Sequence, residues 1–117
     1  MRFARTSIFG VAFSAWLLSF TTVSFAQGAA ATINMAAESF DQTEVHITAG
    51  QTILWRNPDF RTHTVTADDS SFDSGDVGAS KDFSMEFDTP GTYPYYCQYH
   101  GNPGGEGMSG VIVVDAG

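Results

Sequence analysis

Cysteine occurs once in the 117 residues, lysine and arginine together number 5 against 13 acidic residues, and no stretch shows a sustained helical period. Each scarcity excludes something. With Cys97 alone, no internal disulfide can form, so an exported chain needs another use for its thiol: intermolecular pairing, inert burial or metal ligation. With so few cations, the surface repels nucleic acid and suits cationic partners instead. The apolar run over residues 8–20 is shorter than the roughly 20 residues that a membrane-spanning helix needs, so no stable membrane insertion is expected.

That run has its own meaning at the start of the chain. Arg2 and Arg5 precede it and Ser24-Phe25-Ala26 follows it, the layout of a secretory signal cut after Ala26. No adjacent arginine pair points to the twin-arginine route. The expectation is a signal peptide over residues 1–26 and one domain over residues 27–117, exported to the periplasm. Without Arg2 and Arg5 the remaining 91 residues hold 3 basic and 13 acidic side chains, a formal charge of −10, which favours a soluble monomer.

Period-two alternation runs through the domain. Ile33 and Met35 alternate with smaller or polar neighbours, and Val45 and Ile47 share a face that leaves His46 to solvent. Ile53 and Trp55 continue the pattern until Asn57-Pro58 breaks it. His63 opens a short β-branched strand over residues 63–66, and a long polar loop follows over residues 67–80. Phe83, Met85 and Phe87 alternate, residues 88–91 turn, and in residues 92–97 Tyr93, Tyr95 and Cys97 share one face while Tyr96 takes the other. The closing strand spans residues 108–114. About seven short strands at this spacing predict an all-β, antiparallel β-sandwich.

The chemistry gathers in YPYYCQYHGNPGGEGM, residues 93–108. Cys97 ends a strand, His100 lies three positions on in what the broken pattern predicts is a loop, and Met108 opens the final strand at the same end of the sandwich. Thiolate, imidazole and thioether suit a soft, redox-active metal, and trigonal His₂Cys coordination with a weak axial Met is a blue-copper arrangement. His63, directly after a loop, is the candidate second histidine. Zinc accepts nitrogen and sulfur ligands too, so a structural zinc site stays open on the residues alone. Glu106 is the oxygen-bearing competitor for the axial place.

HTVTADDSSFDSG followed by GTYPYYCQYHGNPGGEGMSGVIVV resembles the small blue-copper proteins, the cupredoxins of plastocyanin, amicyanin and pseudoazurin kind. The ordered set of an early His, Cys-x₂-His and a Met opening the last strand carries the resemblance, and TILWRN ahead of the histidine loop adds to it. It implies a Greek-key sandwich binding one copper through His63, Cys97 and His100 with Met108 axial. It further implies a non-enzymatic carrier that passes single electrons between larger redox proteins, such as a cytochrome c or a copper or haem enzyme with a basic docking face. Asp68, Asp69, Asp73 and Asp76 are candidates to steer such a partner. A copper-binding or copper-delivery protein is the alternative on the same ligands. A copper oxidase is disfavoured, since three histidines leave no ligands for a second centre. Two departures stand out: seven residues separate His100 from Met108, longer than in plastocyanin-like relatives, and Thr64 follows His63 where many relatives have an asparagine that ties the two ligand loops.

Overall fold

Alternation of buried and exposed side chains translates directly into strands. The computed structural model describes residues 28–117, so the expected signal peptide lies outside the described residues. Eight strands form, with no helix among the described residues: β1 (Ala31–Ala36), β2 (Ser39–Phe40), β3 (Glu44–Thr48), β4 (Gln51–Arg56), β5 (Thr66–Ala67), β6 (Asp82–Phe87), β7 (Gly91–Asn102) and β8 (Glu106–Asp115). They make two four-stranded sheets, ordered β2-β1-β4-β6 and β3-β8-β7-β5.

The inward faces meet in one core. Ile33, Met35, Ile53, Trp55 and Phe87 from the first sheet pack with Val45, Ile47, Tyr95, Cys97, Met108, Ile112 and Val114 from the second. Trp55 is the keystone: its ring stacks on Phe83 at 5.7 Å and meets Tyr95 edge-on at 5.5 Å, joining the sheets. Such aromatic pairs add about 0.5–1.5 kcal/mol beyond the area that they bury.

Three expectations need correction. The sandwich is not wholly antiparallel: β1 runs parallel to β4 and β3 parallel to β8. Local alternation says which face is buried but not which strand lies alongside, and both parallel pairs join strands whose connection crosses between sheets. The strand expected at residues 63–66 shrinks to Thr66–Ala67, with His63 held only by an isolated bridge to Val77. His100 lies inside β7, and β8 begins at Glu106 rather than Met108, so the two strands form one long hairpin. Alternation stops at Cys97 because the ladder slips there. Tyr96 pairs with Ser109 and Gly101 with Gly107, which sets Cys97, Gln98, Tyr99 and His100 opposite Met108 alone. A bulge of this kind re-aims side chains without ending the pairing.

Candidate metal centre

The slip in β7 is what brings the candidate ligands together. Cys97, fully buried, ends the regular part of the strand, and the extra residues swing the chain so that His100 turns back beside it. The Cys97 Sγ lies 3.6 Å from Nδ1 of His100 and 3.9 Å from Nδ1 of His63. The two imidazole rings stand 5.0 Å apart, centre to centre. His63 is completely buried, whereas the side chain of His100 keeps 18% of its surface, leaving one ring edge at the protein exterior.

His63 is placed by a loop that Asn57 organises. Asn57, the last residue of TILWRN and 1% exposed, donates through Nδ2 to the carbonyls of Arg61 (2.6 Å) and Val77 (2.9 Å) and accepts the Asp59 amide at 2.9 Å. Val77 in turn exchanges both backbone hydrogen bonds with His63. The loop ends bound to the sheet, with its histidine facing the thiol.

Both histidines present Nδ1 to the sulfur and Nε2 to a carboxylate. Nε2 of His63 faces Asp59 at 3.4 Å, and Nε2 of His100 lies 3.9 Å from Glu38, which also pairs with Arg61. A carboxylate on the outer nitrogen of His63 favours the proton there and leaves Nδ1 free to ligate, whereas Glu38 stands too far from His100 for a hydrogen bond. Partial desolvation works to raise the pKa of Asp59, but the amides of Phe60 and Arg61 and the His63 ring outweigh it and hold the carboxyl below its ordinary range. Neither carboxylate was foreseen. Asn-Pro-Asp announces the turn at Asn57, yet nothing local says that Asp59 reaches His63.

The donor set fits copper. A sulfur at about 2.3 Å and a nitrogen at about 2.0 Å from one ion stand roughly 3.5–3.7 Å apart at tetrahedral to trigonal angles; the 3.6 Å separation to His100 falls at that spacing, and the 3.9 Å separation to His63 is about 0.2 Å wider. All three ligand atoms lie within 4.8 Å of one another. Met108 is 1% exposed and faces the slipped segment, whereas Glu106 is exposed at the hairpin tip. Thr64 does what its place demands: its hydroxyl accepts the Gln98 amide at 2.9 Å, and its own amide points at Cys97 Sγ from 3.4 Å.

Not every titratable group joins the site. His46 is exposed and bonded to Glu44 at 2.8 Å, remote from the cluster, as its alternation implies. His46→Ala is therefore expected to leave copper affinity unchanged and stability within about 0.5 kcal/mol. A copper titration and a denaturant melt check this, and lost metal would implicate His46. The four aspartates of the long loop are all engaged within the chain: Asp68 accepts Gly104 N–H, Asp69 accepts Ser71 N–H, Asp76 accepts the Tyr99 hydroxyl, and Asp73 accepts from Thr66.

With the geometry established, three comparisons bear on it. A family model described as "Cupredoxin-like domain" matches residues 9–114. Plastocyanin of Scenedesmus fuscus is 32% identical over 71% of this chain and 97% of its own length. Amicyanin-alpha of Methylorubrum extorquens is 32% identical over 71% of this chain and 70% of its own. Among solved structures, a variant of amicyanin in its reduced Cu(I) form at pH 4 aligns with TM-score 0.65 and 25% identity, covering 77% of this chain and 85% of that one.

Proposed function

The chain belongs to the cupredoxin-like family, and on that premise we propose that His63, Cys97 and His100, with Met108 as a weak axial donor, hold its one copper ion. The protein is a type 1 copper protein that carries single electrons between other redox proteins, and it is not an enzyme. When bound, copper supplies the one-electron change between Cu(I) and Cu(II).

The observation that carries the ligand assignment is the convergence of two Nδ1 atoms on one buried sulfur. The rest of the chain serves that convergence. The sandwich behind Cys97 and His63 leaves neither side chain room to move, so the donors stay in place whatever charge the ion carries. The burial of His63 excludes water on one side, and the partly exposed edge of His100 is the route outward. Phe60, 85% exposed on the His63 loop, and Tyr99, 57% exposed in the slipped segment of β7, supply apolar contact for a docking partner. The formal charge of −10 on residues 27–117 supports a cytochrome c or another partner with a basic face and a monomeric carrier, and the arginine-led apolar run closed by Ser24-Phe25-Ala26 supports export to the periplasm.

The test is the visible absorption and electron paramagnetic resonance of residues 27–117 loaded with Cu(II). A strong thiolate-to-copper band with a small parallel hyperfine splitting is expected. A pale protein with ordinary splitting would remove Cys97 from the ligand set. For the axial place, Met108→Leu should keep the band and raise the reduction potential by about 60 mV, a tenfold shift in the one-electron equilibrium. If Glu106→Gln moved the spectrum and Met108→Leu did not, the axial donor would be Glu106.

A further inference from the structure

Beside Cys97, four residues close a ring of hydrogen bonds. The Gln98 amide donates to Thr64 Oγ1 at 2.9 Å, Thr64 and Thr66 hydroxyls lie 2.9 Å apart, and Thr66 donates to Asp73 Oδ1 at 3.1 Å. The ring closes through the Gln98 side chain, whose Nε2 donates to Asp73 Oδ2 at 3.2 Å. Thr64 and Thr66 are buried, and Asp73 sits at the surface end.

The protons in this ring can run only one way. An ionised carboxylate accepts and never donates, so Thr66 spends its single proton on Asp73. Thr64 must then donate to Thr66, which leaves a lone pair of Thr64 Oγ1 aimed at Gln98 N–H. Each hydroxyl proton in the circuit then has one acceptor, and Asp73 Oδ1 also takes the Gly75 N–H at 2.9 Å. Take Asp73 away and Thr66 is free to donate back to Thr64, whose own proton then has no partner and competes for the space of the Gln98 amide.

We propose that Asp73 and Thr66 are positioning residues for the Cys97 thiolate. The carboxylate sets the direction of the ring, and the ring holds Gln98 at both its backbone and its side chain. It thereby fixes the residue after Cys97 and keeps the Thr64 amide pointed at Sγ from 3.4 Å. An N–H aimed at sulfur stabilises negative charge there, which is greatest in the reduced state. A loosened ring therefore lowers the reduction potential. The inference rests on the ligand assignment above.

Thr66→Val tests it, since valine keeps the shape and burial of Thr66 but carries no hydroxyl. The variant removes the Thr66 bonds to Thr64 and Asp73, and in the metal-free protein hydrogen exchange at the Gln98 amide should quicken about fivefold, the net worth of about one hydrogen bond passed on through Thr64. With Cu(II) bound, the thiolate band should shift and the potential fall, and Thr66→Ser should restore both. Asp73→Ala, at an exposed position, should give the same pattern, and decides the matter should the valine variant fail to fold. Parental exchange rates, or faster exchange with an unmoved band and potential, overturn the proposal. A parent protein without any thiolate band would instead count against the ligand assignment, while exchange at Gln98 still reports on the ring.

Discussion

Replacing Cys97 with serine is expected to abolish the intense visible colour of the Cu(II)-loaded protein, cutting absorbance at least roughly tenfold while the fold survives. Serine is close to cysteine in shape, and the Thr64 amide that faces Sγ at 3.4 Å can face a hydroxyl instead, so the buried position stays filled and bonded. The ligand chemistry changes completely. A thiol gives up its proton to a metal near neutral pH, whereas a serine hydroxyl keeps its own, so the two imidazoles lose their anionic partner. Copper affinity falls with the colour. Absorbance and electron paramagnetic resonance of the variant beside the parent decide the point. A serine protein that kept the band would mean that the sulfur at the meeting point of His63 and His100 is not the thiolate ligand.

Gly101→Ala should have nearly as large an effect, although residue 101 bears no functional group. A Cβ there would stand 2.5 Å from the Met108 carbonyl oxygen, 2.8 Å from that of Glu106 and 2.9 Å from the Met108 nitrogen. All three are backbone atoms of the facing strand, which no rotamer change relieves, so the hairpin must open where it joins His100 to Met108. A cost of about 3 kcal/mol, at the upper end for overpacking, is expected, together with weaker copper binding. Gly104→Ala is the control. It meets nothing within 4 Å, but its φ of +94° disfavours alanine, so it should cost about 1 kcal/mol and leave the metal alone. Denaturant midpoints and copper titrations of both variants check this. A Gly101→Ala protein as stable and as metal-competent as the parent would show that the hairpin yields more easily than its backbone contacts imply.

The difference between these two variants marks what a linear reading can reach. Alternation at Ile33, Met35, Val45, Ile47, Ile53 and Trp55 was legible because burial on a pleated sheet has a period of two, and each of these residues is in the core. Cys97, His100 and His63 were legible because their side chains suit one ion and their spacing along the chain is distinctive. The parallel pairings were not, because strand adjacency is decided by how distant segments cross between sheets. Nor was the slip that places four residues opposite Met108, since alternation stops there in a loop and in a bulge alike. Asp59, Glu38 and the ring through Asp73 belong to the same class. Each acts across a distance in space that its distance in the chain does not disclose.

The parallel pairing of β3 with β8 also bears on the order in which the molecule can assemble. Glu44 lies beside Val111 and Thr48 beside Asp115, so an early segment finds its neighbour only at the far end of the chain. Closing so long a loop must precede the contacts that reward it, which places the protein among slow, high-contact-order folders. Until β8 docks, β3 has no sheet to join, and Met108 and the hairpin that carries it are missing from the metal-binding end. A metal-ready pocket is therefore a late product of folding: copper offered to a nascent or partly threaded chain meets scattered ligands, and tight uptake waits for the last strand.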